Sequence, residues 1–414
     1  MSKTNTDNSR MTDAARVVST GKASLNGYAR LVLFMLRKMR GPLLQVQLPD
    51  GTVHEFAGDD QATPPIVLRI VNMSFFKTIV RRGSLGFAEA YMNGDWRSPE
   101  IARLLCFFNQ NMQMIKQEID NKRIFSFINR LIHKWRPNSR AGAKRNIHAH
   151  YDLGNNFYSL WLDKSMTYSS ALFKDSQTDL RAAQTEKYRA LAEAIDLQAD
   201  HHVLEIGCGW GGFAEFAARE IGCRVTGITI SQEQLKFART RIANAGLQDK
   251  VDFQFLDYRD VTQTYDRVVS IEMFEAVGEQ YWATYFEQLH KLLKPQGRAG
   301  LQIITIENSR FDAYRKSADF IQRYIFPGGM LPSPEKLYAA FDNAGLQLTG
   351  QKDFALDYAR TLAAWRARFI AVWPEVEALG FDTRFRNMWE YYLAYCEAGF
   401  STGSIDVSHF TLSK

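Results

Sequence analysis

Cysteine is scarce. The four in 414 residues (Cys106, Cys208, Cys223, Cys396) form no CxxC pair and no zinc-ligand spacing. That excludes a disulfide scaffold and a thiolate metal centre, and reads as reduced thiols in a cytosolic protein with no metal. Long apolar runs are also missing: the longest near the start, Leu31 to Leu36, has six residues, against the ~18 of a membrane-spanning helix. The first twenty residues are rich in Ser, Thr, Asn and Asp and lack the apolar core of a signal peptide. They are expected to be a flexible tail on a chain that is neither inserted nor secreted. A surplus of charge of either sign is nearly absent as well. Lys+Arg 51 against Asp+Glu 45 leaves +6, too little on this length to name a partner. With 46% hydrophobic and 13% aromatic residues, the chain is globular, and at ~150 residues per domain two domains are expected.

Residues 21–135 mix helix and strand, as a small α+β domain would. Ala29 to Arg40 is apolar, then basic, and is stopped by Gly41-Pro42. Leu44 to Leu48 alternates at period two, and Pro49-Asp50-Gly51 leads into Thr52 to Phe56, which predicts a hairpin. Residues 101–135 read as helix, with one apolar stripe through Ile124, Phe125, Phe127, Ile128, Leu131, Ile132 and Trp135. Between Asn121 and Ile147 stand eight Lys/Arg and no acid, Lys122, Arg123, Arg130 and Lys134 among them. An amphipathic helix of this kind suits an anionic membrane surface. A core-facing stripe with a solvated basic face accounts for it equally well. Pro137 and the Asn-Ser-Arg-Ala-Gly run mark a basic linker over 136–146, before a second domain over 147–414.

In the second domain strands alternate with helices. Strands are expected at 202–207, 223–229, 251–256, 267–271 and 298–306, with helices at 213–220, 231–245 and 281–293. The helix at 231 opens on a Ser231/Gln234 capping box. Repeated βα units imply an α/β fold with a doubly wound, mostly parallel sheet and a ligand beyond the strands' carboxyl ends.

The turn Glu205-Ile-Gly207-Cys-Gly209-Trp-Gly211-Gly212 stands where a nucleotide site needs glycines. A nicotinamide enzyme is the natural rival. It wants an acid about 20 residues on to hold a ribose, whereas Thr229-Ile230-Ser231 is found there. Glu205, two residues before the first glycine, gives the ExGxGxG form of S-adenosylmethionine methyltransferases. Asp257 and Tyr258, ending the third strand, suit an adenine: the acid accepts from its amino group and the ring stacks. Taken alone, they read equally well as a strand-end turn and a core tyrosine.

These segments resemble the cyclopropane fatty acid synthase and mycolic acid methyltransferase family. The resemblance rests on His150 to Tyr158, Thr167-Tyr168-Ser169, Val203 to Gly212, Asp257 to Asp260, Met273 to Gly278, Tyr324 to Ser333, Ile405-Asp-Val, and Gly83 to Trp96 in the first domain. It implies a Rossmann-like methyltransferase with S-adenosylmethionine against Tyr168, Ser169, Glu205, Gly207, Gly209, Thr229, Gln234, Asp257 and Tyr258. Gln234 takes the ribose role that a strand-end acid has elsewhere. The implied chemistry is attack by an alkene of an unsaturated phospholipid chain on the sulfonium methyl, leaving a carbocation. In the family a bound bicarbonate then removes a proton from the new methyl to close a ring. Glu275 and Tyr358 match the residues that hold that anion. Ser170 stands in place of a cysteine, Gln302 and Ala276 in place of histidines, and Glu272 in place of a glycine.

Serine and glutamine still donate hydrogen bonds, but Gln302 cannot carry charge, and Glu272 adds a negative charge that weakens anion binding. The reading is therefore methyl transfer with ring closure in doubt, giving a methylene or methyl-branched chain. A true cyclopropane synthase with a tolerated variation remains open, as does a lipid- or cofactor-binding protein without turnover. A nucleic-acid partner is disfavoured because no RNA module is present. The resemblance further implies a peripheral protein of the inner membrane face, with self-association possible.

Overall fold

The computed structural model describes residues 15–17, 25–60, 62–119, 153–316 and 318–414. The chain divides into two compact units, residues 1–121 and 122–414.

In the first unit β1 (Ala15–Val17), β2 (Leu44–Gln47), β3 (Val53–Phe56), β4 (Ile66–Ile70) and β5 (Trp96–Arg97) form one sheet in the order β1-β3-β2-β4-β5. The expected hairpin is β2–β3, antiparallel, with Leu44 opposite Phe56. Residues 15–17 depart from the expected tail. They pair antiparallel with His54–Phe56, because the open edge of β3 offers backbone groups that any short extended segment can meet. The helix α1 (Gly27–Leu36) is capped by Asn26, whose side chain accepts from Ala29 N–H at 2.9 Å. It ends four residues before Arg40, since the amides of Lys38 and Met39 bond three residues back and tighten the chain. The helices α2 (Ser74–Met92) and α3 (Ile101–Ile119) complete this unit. The rest of the predicted 101–135 helix, with Lys122, Arg123, Arg130 and Lys134, lies outside the described residues, as does the 136–146 linker.

The second unit holds α4 (Asn155–Trp161), α5 (Leu180–Ala194), β6 (His202–Ile206), α6 (Gly212–Phe216), β7 (Arg224–Thr229), α7 (Gln232–Ala245), β8 (Val251–Phe255), β9 (Tyr265–Ile271), α8 (Trp282–Leu292) and β10 (Leu293–Ile306). It continues with α9 (Asn308–Tyr314), α10 (Pro334–Asn343), β11 (Gln347–Asp353), α11 (Ala355–Ala371), α12 (Trp373–Ala378), α13 (Thr383–Ser401) and β12 (Ile405–Ser413). The sheet order is β11-β12-β10-β9-β6-β7-β8. The five strands from β10 to β8 are parallel, and β12 and β11 add antiparallel pairs at one edge. Strand alternation feeds two cores. Val203 and Val225 pack with Leu191, Phe213 and Leu235 of α5, α6 and α7 on one face. Leu204, Val268 and Leu301 pack with Phe286, Leu337 and Phe341 of α8 and α10 on the other. Helices thus cover both faces, as the doubly wound reading requires. The order reverses at β6, between β9 and β7, so the cleft past its carboxyl end is where a ligand fits.

Two local expectations change. The helix predicted at 213–220 is α6 followed by a wider π-helical turn over Ala217–Ile221 that ends at Gly222, φ 88°. At α7, Ser231 caps as predicted, its hydroxyl accepting from Gln234 N–H at 3.3 Å. The returning half of the box is absent. Thr229 Oγ1 accepts from Ser231 N–H and donates to Gln234 Oε1, so a strand-end hydroxyl does the work predicted for the glutamine.

Candidate active site

At the end of β6 the chain turns through Gly207, Gly209 and Gly211, with φ of 81°, 50° and 81°. The amides of Gly207 and Cys208 both donate to Ile228 O, tying the turn to β7. A Cβ on Gly207 would lie 2.8 Å from Met273 Cγ, and one on Gly211 3.0 Å from Phe253. A Cβ on Gly209 would meet no protein atom within 4 Å. The flanking glycines are therefore needed for packing, while the middle one faces space. Glu205 is 3% exposed and accepts from Ala214 N–H, yet its Oε2 has no partner. Burial pushes its pKa well above the carboxylate range, against the pull of Lys187. An orphaned buried oxygen beside backbone that leaves room at Gly209 fits a cofactor with hydrogen-bond donors. Thr229 and Gln234, both buried and joined at 3.1 Å, close the end of β7.

Other predicted cofactor residues are engaged differently. Asp257 is held by Arg259 through two contacts, at 2.8 and 2.6 Å, which fix the orientation of its carboxylate and use part of its acceptor capacity. Tyr258 meets Tyr285 edge-on at 5.2 Å, under the Arg259 guanidinium. Tyr168 joins an aromatic wall: its ring lies 5.3 Å from both Tyr158 and Trp365, and its hydroxyl is 2.7 Å from that of Tyr392. The Ser169 hydroxyl belongs to a second centre.

That centre is Glu272, the residue following β9. It has φ 48°, a left-handed conformation that costs a non-glycine residue about 1–2 kcal/mol. The conformation delivers its carboxylate into a ring of donors. Oε1 accepts from Ser169 Oγ at 2.8 Å, Ser170 N–H at 2.8 Å and Gln302 Nε2 at 2.6 Å. Oε2 accepts from Tyr358 O–H at 2.6 Å. Four donors with no competing acceptor suit an ionised carboxylate, which only accepts.

The predicted catalytic residues are partly reassigned. Tyr358, on α11, and Gln302, mid-β10, do converge. Ser170 contributes its backbone, because its hydroxyl donates to Ala171 O at 2.9 Å. Glu275 makes no hydrogen bond to this cluster: its Oε1 accepts from Ile304 N–H at 2.6 Å, its Oε2 is buried without a partner, and burial, with the nearby Glu272 carboxylate, raises its pKa to about 8.

Two members had gone unnoticed. His409 on β12 is opposite Gln302 in register, with Nε2 3.0 Å from Gln302 Oε1. Burial pushes its pKa down to about 3, so it is neutral. Because that oxygen only accepts, the ring donates from Nε2, which turns the Gln302 amide nitrogen toward Glu272. Lys187 on α5 is wholly buried and donates to Ser169 Oγ at 3.0 Å. Burial lowers its pKa to about 7 against the pull of Glu272, Asp163 and Glu205. A signal for Lys187 existed: Leu180, Ala183, Gln184, Lys187, Tyr188 and Leu191 form one buried helical stripe, so two polar side chains stand on an apolar face.

Residues 138–410 match the mycolic acid cyclopropane synthetase family. The chain belongs to that family. It is 40% identical over 380 residues to a tuberculostearic acid methyltransferase of Mycobacterium tuberculosis, covering 90% of this chain and 88% of the relative. It is 34% identical over 390 residues to the cyclopropane-fatty-acyl-phospholipid synthase of Escherichia coli, covering 89% and 96%. Among solved structures, the mycolic acid cyclopropane synthase CmaA1 with SAH and CTAB superposes with a TM-score of 0.62 at 29% identity, covering 68% of this chain and 99% of that one. This family member is therefore an S-adenosylmethionine-dependent lipid methyltransferase.

Proposed function

We propose that the enzyme adds one carbon at a double bond of an unsaturated phospholipid acyl chain, and that the product is methylene- or methyl-branched rather than a ring. One observation carries the choice of product. The donors that a free bicarbonate would use, Ser170 N–H, Tyr358 O–H and the Gln302 amide, are already spent on Glu272. S-adenosylmethionine supplies an electrophilic methyl on a sulfonium. The protein's share is to orient the chain, exclude water and stabilise a cation. For the last of these it has aromatic faces around the cluster: Tyr358 stacks on Phe400 at 4.3 Å and meets Trp365 edge-on at 6.2 Å, and Trp365 lies 5.8 Å from Trp161.

A phospholipid substrate requires a visit to a bilayer. Among the described residues no helix is long and apolar enough to cross a membrane. In the first unit, α1 is apolar outward as well as inward. Tyr28, Leu31, Phe34 and Met35 are exposed, Arg37, Lys38 and Arg40 follow them, and no acid occurs from Ala14 to Pro49. That composition suits peripheral attachment to an anionic inner membrane face. The basic 122–134 stretch belongs to the same proposal, as does self-association.

The test incubates the full chain with S-adenosylmethionine and vesicles of unsaturated phosphatidylglycerol and phosphatidylethanolamine, then analyses the acyl esters by mass spectrometry and proton NMR. A gain of one CH2 unit with vinylic or branched-methyl signals is expected. High-field ring protons would mean a true cyclopropane synthase. No mass gain, with cofactor still bound, would leave a binding protein and sink the proposal.

A further inference from the structure

Glu272 does more than displace a free anion. We infer that its carboxylate is the resident base of the reaction, a side chain of the protein standing where a dissociable one-carbon acid would otherwise be held. The inference rests on the proposed alkene methylation and names the group that completes it.

The backbone supplies the first argument. Glu272 occupies a left-handed conformation, φ 48°, that glycine adopts without penalty. Strain of this kind persists only where the surroundings enforce it, and it gathers at functional sites. Here four hydrogen bonds from residues 169, 170, 302 and 358 enforce it. Position supplies the second. Glu272 follows β9, which lies beside β6 in the sheet, and its neighbour Met273 backs directly on to Gly207. Residue 272 therefore stands at the carboxyl end of the strand next to the glycine turn, and the buried Lys187 feels the charges of both Glu272 and Glu205.

The hydrogen-bond pattern supplies the third. Oε1 takes three donors and Oε2 only the Tyr358 hydroxyl, so Oε2 keeps a lone pair for a proton. Once the alkene has taken the methyl, a C–H bond beside the cationic carbon breaks. Its proton goes to Glu272 Oε2, and its electron pair forms the new carbon–carbon double bond. The carboxylic acid returns the proton to water as the product leaves. No oxidant or reductant enters, and the product of this step is a methyl-branched alkene; an exocyclic methylene forms only if a 1,2-hydride shift first moves the cation to the methyl-bearing carbon and the proton then leaves the methyl.

The test compares Glu272→Gln and Glu272→Gly in the full chain, in bicarbonate-free buffer, with S-adenosylmethionine and unsaturated phospholipid vesicles. Gln keeps the network satisfied: its oxygen accepts the three Oε1 donors and its amide donates to the Tyr358 oxygen. It has no basicity, so turnover is expected to fall at least ~100-fold, the scale of a lost general base, with S-adenosylmethionine affinity held within about threefold. Gly relieves the backbone strain and leaves the donors free. Its turnover is expected to fall similarly, and to rise again at least tenfold when sodium bicarbonate or formate is added. Wild-type-like turnover of Glu272→Gln, or a Glu272→Gly variant that binds cofactor and is not rescued, overturns the inference. Absence of any methylated lipid from the wild type would instead sink the underlying reading.

Discussion

At the glycine turn the backbone comes forward and side chains withdraw, until Gly209 faces space with no protein atom within 4 Å of where its Cβ would be. At Glu272, a few residues away through Met273, side chains converge until every donor has its acceptor. One region is built to receive a molecule and the other is already filled. Lys187 stands between them, donating to Ser169 in the filled region and exerting its pull on Glu205 in the open one. The difference teaches that related folds can keep a cofactor cradle while exchanging a borrowed reagent for a built-in one. Only the filled region need change.

Substitutions can break or sharpen that contrast. The largest effect is expected at Gly209→Val, which places branched carbons in the open space. S-adenosylmethionine binding, measured by calorimetry, should weaken more than about a hundredfold, ~2.7 kcal/mol, while the unfolding free energy falls only by the ~1–2 kcal/mol of left-handed strain. Unchanged affinity would mean that the space is not the cofactor's. Next comes Tyr358→Phe, which keeps the stack on Phe400 and removes the donor to Glu272 Oε2. With a hydrogen bond to a charged group worth about 1.5–3 kcal/mol, kcat should drop roughly tenfold or more with KM little altered. A change confined to KM would place Tyr358 in substrate binding instead.

Glu275 offers a test by pH. Its folded pKa is raised to about 8 from 4.5, so between those values the folded state holds a proton that the unfolded chain releases. Its contribution to stability is complete below the lower value and is lost as pH rises through the upper one. Glu275→Gln retains the acceptor for Ile304 N–H and removes the titration. The decline in unfolding free energy from pH 5 to pH 8, measured by urea titration, should flatten by an amount on the order of a few kcal/mol; an identical decline in both proteins would contradict the assignment. The smallest effect is expected at Ser170→Ala. The Ser170 backbone amide, and not its hydroxyl, serves Glu272, so turnover should change less than about twofold, near the error of such measurements. A tenfold loss would restore the hydroxyl to the role first assigned to it.

The glycine turn was legible because its signal is local. Strand, positive-φ glycines and helix follow one another within a dozen residues, and Thr229 and Gln234 stand on the next βα unit. The filled side was legible in its parts and not in its sum. Ser170, Glu272, Gln302 and Tyr358 could be singled out, and their types suggested a weakened anion pocket. That Glu272 swings into the pocket depends on one left-handed residue and on contacts between positions 102 and 30 residues apart in the chain. His409 gave no sign because its effect runs through strand register: only the β10–β12 pairing sets it opposite Gln302. The hold of Arg259 on Asp257 was not foreseen, although it is local, two residues on.

That the chain carries its own carboxylate where a free one would be borrowed can be read on the unaltered protein. Turnover on unsaturated phospholipid vesicles is measured in buffer stripped of bicarbonate and again with bicarbonate restored. The same rate and the same branched product in both are predicted. A rate that collapses without bicarbonate and recovers on its return would contradict it.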